Sequence, residues 1–155
     1  MSNNFSPRFL AMFPWLFDRE GRTFETDPDD PGNFHNGKFG GTKYGIDFNS
    51  HPDVDIRNLT EDRAMQIYWD EYWQKNHCEE LPFPMGECYF DTCVNNGAGR
   101  AAQLLSISAS AGDFLQNRIA FYKRLAARRP KSQKYLTGWL NRVRLLMILL
   151  KIPIK

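Results

Sequence analysis

The chain has little cysteine: Cys78, Cys88 and Cys93 are the three in 155 residues. An odd number without metal-ligand spacing argues against a disulfide framework or a zinc site and reads as reduced thiols in a protein that folds in a cytosol. Long apolar runs are missing too. Leu145–Leu150 follows two arginines and falls far short of the roughly 20 residues a bilayer span needs. No basic-then-apolar segment opens the chain, since Ser2-Asn3-Asn4 leads into a Phe-rich stretch broken by Pro7 and Pro14. His35, His51 and His77 share no spacing, so they read as surface or turn residues, and neither metal nor cofactor is expected. There is no internal repeat and no low-complexity tract. Scarcest of all is acid near the C-terminus: residues 98–155 hold Asp113 alone against 12 Lys/Arg, whereas residues 1–97 hold 17 acids against 8. A net charge of +2 thus conceals a basic half that suits an anionic partner.

What is present is a globular composition, 42% apolar and 14% aromatic, long enough for one domain with its own core. Ser6-Pro7 is a helix start, with Ser as N-cap and Pro at the first helical position. Phe9, Leu10, Phe13, Leu16 and Phe17 continue an apolar stripe that Gly21 ends, and Pro14 should kink or divide it. From Phe24 to about Asn58 no helical period survives. Glycines and asparagines there predict turns and one short hairpin around Lys38–Ile46. Thr60 caps a helix whose Ala64, Ile67, Tyr68 and Tyr72 make one face and Met65, Trp69 and Trp73 another. That is too much apolar circumference for a surface helix, so core packing is favoured over a saccharide-stacking role for Trp69, Tyr72 and Trp73. Further helices are expected through Cys88–Val94, over Arg100–Ser108, from Ser110 to Arg129 before Pro130, and from Ser132 to Leu150.

Chemistry concentrates in FDREGRTFETDPDDP, residues 17–31, with its six carboxylates. Glu20 falls at a helix C-terminus, where the macrodipole is negative, with Trp15, Phe17 and Phe24 close in sequence. Both features favour the protonated carboxyl, the form a general acid needs. Asp27, Asp29 and Asp30 follow in a polar loop that suits ionised carboxylates, and Asp27 before Pro reads as an Asx-turn former. Two carboxyls in opposed environments are the signature of acid/base division in glycoside hydrolysis. Acid-rich loops are common, so spacing alone leaves a solvated surface loop open.

Glu20-Gly21, then Asp27-Pro-Asp-Asp-Pro-Gly32, then Gly40-Gly-Thr-Lys-Tyr-Gly-Ile46 resembles glycoside hydrolase family 108, whose signature runs roughly EGGY, DPxDPGG, TxxGI. Downstream, Phe90-Asp-Thr-Cys-Val-Asn-Asn-Gly-Ala-Gly-Arg-Ala-Ala102, Arg118 through Tyr122 and Gly138-Trp-Leu-Asn-Arg142 resemble the helical, peptidoglycan-binding region paired with that motif. The resemblance implies a mainly α, lysozyme-like domain over residues 1–155, with a catalytic-motif half (1–75) and a basic, peptidoglycan-binding-like half (76–155). A small β or irregular lobe at residues 24–58 would border the cleft. It implies an N-acetylmuramidase, an endolysin cleaving the β-1,4 bond between N-acetylmuramic acid and N-acetylglucosamine.

Carried over by motif, Glu20 is the general acid, while Asp30 and Thr42 hold the attacking water in an inverting displacement. Arg22, Tyr44 and Asn95 are the substrate-binding candidates. Asn95-Asn96-Gly97 can equally be a plain helix C-cap. Three departures stand out: Arg22-Thr23 replaces Gly-Tyr, Asn33–Gly40 is inserted, and a segment after Leu105 is shortened. They keep an alternative open, a degenerate muramidase fold that binds cell wall or an anionic surface. Arg142 and Arg144 could meet an anionic membrane or lipopolysaccharide, although a C-terminal helix docked on the core is favoured. Expected otherwise are a peptidoglycan glycan strand as partner, no nucleic acid and a monomer. The chain should be made in a host cytoplasm without a signal peptide and act in the periplasm after holin- or secretion-dependent release.

Overall fold

The computed structural model describes residues 4–154, so Ser2 and Asn3 of the leader reading lie outside the described residues. The chain divides into two compact units, one running to Trp73 and one beginning at Gln74.

In the first unit Ser6 accepts from the Phe9 amide at 3.2 Å and starts α1 (Pro7–Ala11). Pro14 divides the expected helix, because its ring carries no N–H and needs the first turn of a new one. A second helix, α2 (Phe13–Glu20), therefore begins beyond Met12. It stops where Gly21 turns to φ +91° and its amide donates to the Phe17 carbonyl at 2.8 Å. The two helices present one aromatic row: Phe9 and Phe13 centroids lie 4.4 Å apart, Phe13 and Phe17 5.1 Å. Trp73 is fully buried against Phe9 at 5.7 Å, as core packing requires. Each such ring removed from water contributes roughly 1.5–3 kcal/mol.

Two hairpins follow where one was expected. The first pairs β1 (Phe34–His35) with β2 (Lys38–Phe39), and the second pairs β3 (Thr42–Lys43) with β4 (Ile46–Asp47). Asn36-Gly37 and Tyr44-Gly45 turn them with φ of +51°, +79°, +53° and +76°, the two-residue turn whose twist matches paired strands. The inserted segment is thus itself a hairpin. Thr60 accepts from the Arg63 amide at 3.2 Å and starts α3 (Glu61–Tyr68), which passes into a π-helical stretch, Trp69–Gln74.

The second unit is helical: α4 (Met85–Asn96), α5 (Ala98–Ser106), α6 (Ala111–Arg128) and α7 (Gln133–Leu150). Met85 through Cys93 are all buried, so α4 is the central helix. Ser110 caps α6 by accepting from Asp113 N at 3.1 Å. Ser132 occupies the cap position of α7 without capping it, because it closes a 3-10 turn, Pro130–Ser132. Tyr122 of α6 and Trp139 of α7 stack at 5.1 Å. No helix among the described residues is long and apolar enough to cross a membrane.

Candidate active site

Glu20 is the last residue of α2 and half-buried. The β3–β4 turn rests on it: a Cβ built on Gly45 would lie 2.9 Å from Glu20 Cβ, 3.0 Å from Glu20 Oε2 and 2.5 Å from Tyr68 Oη. Only glycine fits, on space and on its positive φ alike. Tyr68 fixes the turn from beneath by donating its hydroxyl to the Tyr44 carbonyl at 2.7 Å. The Tyr44 ring packs 5.0 Å from Phe17, one helical turn before Glu20. The carboxyl is held between a helix end and a glycine turn, with the phenol of Tyr68 beside it.

Asp30 and Thr42 are joined through Asn33. The Asp27 carboxylate accepts from the Asp29 amide at 2.9 Å, the Asx turn read from sequence. Asp30 repeats the device on the Gly32 amide at 2.9 Å and heads the 3-10 turn Pro31–Asn33. Asn33 is wholly buried; its amide donates to the Asp27 carbonyl at 2.8 Å and its Oδ1 accepts the Thr42 hydroxyl at 2.6 Å. Having given its proton to Asn33, Thr42 Oγ1 can only accept from a further donor. Thr42 also bridges Glu25, donating N–H to its carbonyl at 3.2 Å and accepting from its amide at 2.7 Å. The hairpin that places Tyr44-Gly45 over Glu20 is therefore the one whose first strand carries Thr42.

The three other candidates are placed as follows. Arg22 donates to Asp18 at 3.2 Å, lies 3.8 Å from Glu61 and sits over the Phe17 ring at 5.5 Å. It clamps the end of α2 to the start of α3, and exposed pairs of this kind are worth about 0–1 kcal/mol each. Tyr44 is half-buried above Glu20 as described. Asn95 belongs to the second unit, where its amide donates to the Tyr122 hydroxyl, which accepts from Arg118 Nε at 3.0 Å and donates to Asn96 Oδ1 at 2.9 Å.

Several polar groups escaped the sequence reading. Asp91, fully buried, takes Arg118 and Arg142 at 2.7 Å each. Arg142 is thereby engaged in the core, while Arg144 stays exposed and donates to Asn141 at 3.2 Å. These partners stand 27 and 51 positions from Asp91, beyond any local pattern. His51, read as a surface or turn residue, follows the turn at 48–50, and its side chain is only 10% exposed. Its Nδ1 faces the Asp47 carbonyl at 3.2 Å and its Nε2 the Glu71 carboxylate at 2.6 Å. Asp47 in turn shares Gly32 with Asp30: a Cβ there would meet Asp30 Oδ1 at 3.2 Å and Asp47 Oδ2 at 3.4 Å. Among the described residues no group of three or more His, Cys, Asp or Glu is placed to hold a metal ion.

No curated protein matches the chain. The structure of Brucella abortus SagA is similar, with a TM-score of 0.69 at 22% identity, covering 94% of this chain and 96% of that one. At that identity the likeness concerns the fold, mainly α and lysozyme-like with a small β lobe near the N-terminus. The family model described as Glycosyl hydrolase 108 matches residues 13–97, which contain Glu20, the acidic turn and both hairpins. The chain belongs to glycosyl hydrolase family 108.

Proposed function

We propose that the protein is a peptidoglycan hydrolase, an N-acetylmuramidase that cleaves the β-1,4 bond between N-acetylmuramic acid and N-acetylglucosamine. The observation that carries this reading is Glu20 at the end of α2, covered by the Tyr44-Gly45 turn, on a hairpin tied through Thr42 and Asn33 to the Asp30 turn. In this reading the Glu20 carboxyl gives its proton to the glycosidic oxygen as the C1–O bond breaks. A water on the opposite face of the sugar attacks C1, losing its proton toward Asp30, while Thr42 Oγ1 accepts the water's other hydrogen. Such a route leaves room for water between carboxyls roughly 6.5–9.5 Å apart and inverts the anomeric centre. Under this reading the place of action is the periplasmic cell wall, reached through a pore or a secretion route.

The test is digestion of purified Gram-negative peptidoglycan with product analysis. New reducing ends on muramic acid are expected, and Glu20→Gln should lower the rate by about 10²–10⁴-fold. Reducing glucosamine ends would replace the reading with a glucosaminidase. Wall binding without new reducing ends would leave the degenerate binder that Arg22-Thr23 keeps open.

A further inference from the structure

The first unit holds a concavity of about 390 Å³, bounded by the inserted hairpin and the loop before α3. Its walls include Phe24, Lys38, Phe39, Asp53, Asp55 and Arg57. Glu20, Asp30 and Thr42 do not line it. Phe24 and Phe39 meet edge to face at 6.3 Å, and the Arg57 guanidinium lies 4.9 Å over the Phe24 ring. Phe39 is 38% exposed, a large apolar surface left in water. Asp55 accepts from Asn58 at 2.8 Å, while Lys38, Asp53 and Arg57 have no ion-pair partner among the described residues. The pocket therefore offers an aromatic wall with unneutralised charges of both signs.

That combination selects against two simple ligands. A polyanion would meet Asp53 and Asp55, and a neutral glycan would leave the charges unused. A short peptide bearing both carboxylates and an amine on aliphatic branches satisfies each part: carboxylates on Lys38 and Arg57, an amine on Asp53, methylenes on the rings. We propose that this pocket binds the peptide stem of peptidoglycan, an identification that rests on the reading of the protein as a wall hydrolase. Phe24 immediately precedes Glu25, whose backbone pairs with Thr42, so the pocket borders the strand of the candidate active site. A stem of three to five residues, extended, reaches at most about 10–17 Å from its muramoyl anchor.

Two measurements on the full chain test this. In the first, the free tripeptide L-alanyl-γ-D-glutamyl-meso-diaminopimelate is titrated into isotope-labelled protein. Amide resonances of residues 38–40 and 53–57 should move, and much less so in Lys38→Ala and Arg57→Ala. In the second, wild type digests peptidoglycan with its stems intact and the same strands stripped by an amidase. It should prefer the intact substrate by about tenfold, the scale of one charge-assisted contact, and both variants should bring that ratio toward one. Lys38 is exposed, so its variant keeps the test meaningful if Arg57→Ala loosens Phe24. Equal wild-type rates on both substrates, or no shifts at the pocket, overturn the stem site and leave the muramidase standing. If neither substrate is cleaved, the muramidase reading fails and the titration alone decides the pocket.

Discussion

Gly45 shows how tightly single atoms are set around the candidate acid. An alanine methyl there would press on Glu20 and on the Tyr68 hydroxyl, at a backbone φ of +76° that side chains rarely adopt. Gly45→Ala should cost about 1–3 kcal/mol in urea denaturation and lower the hydrolysis rate by displacing Glu20. Asp91 supplies a second prediction. Burial by itself would raise its carboxyl, but the charges and hydrogen bonds of Arg142 and Arg118 outweigh this and hold it below the ordinary carboxylate range. The native carboxyl therefore gives up its proton more readily than the unfolded one. Its contribution is complete above the unfolded value of about 3.9 and is lost as the pH falls through the native value. Asp91→Asn, which leaves two arginines facing a neutral group, should cost about 3–5 kcal/mol at neutral pH. The stability gap from wild type should stay level between roughly pH 7 and pH 5 and narrow below about pH 4.

At the scale of elements, local chemistry was readable and pairing across the chain was not. Ser6, Thr60 and Ser110 act where the sequence places them, because an N-cap joins a side chain to an amide three residues on, and Gly21 ends α2 through its own amide at positive φ. Pro14 was legible as a conflict and resolves into two helices. The expected hairpin around Lys38–Ile46 corresponds to β3–β4; β1–β2 is the additional one, and its Asn36-Gly37 turn pair is a strong signal that the neighbouring Gly40 and Gly41 mask, because they extend the same glycine-rich, irregular pattern. Gly40 is in fact required by Phe48, whose ring would lie 2.0 Å from an added Cβ. The buried Asn33 and the Asp91 cluster depend on partners that only the fold brings near. In α4, burial pushes the Cys93 thiol up to about 12, with Asp91 adding to it, and raises Cys88 as well. Cys78, Cys88 and Cys93 are all buried, and no disulfide joins them among the described residues. Ellman's reagent should therefore find almost none of them at neutral pH in the native protein and all three after denaturation.

For the whole molecule the charge division sets an expectation about its partner. With 12 Lys/Arg against one acid in residues 98–155, retention on purified wall should weaken steeply as salt rises, despite a net charge of only +2. Pull-down from wall suspensions across a salt series measures this, and salt-independent retention would deny the basic half a part in binding. The inserted hairpin bears on the molecule differently. The Asn33 carbonyl accepts from the amides of both Gly40 at 2.8 Å and Gly41 at 3.1 Å, so the chain leaves and rejoins the lobe at nearly one point. Residues 34–39 hang from that point like a branch grafted onto a closed ring. Because the junction is already fastened, lengthening or shortening the branch changes the closure entropy only slowly. Asn33 is thus a place where the chain can acquire or lose surface in evolution without disturbing the Asp27, Asp30 and Thr42 bonds beneath it, a ready port for new wall chemistries.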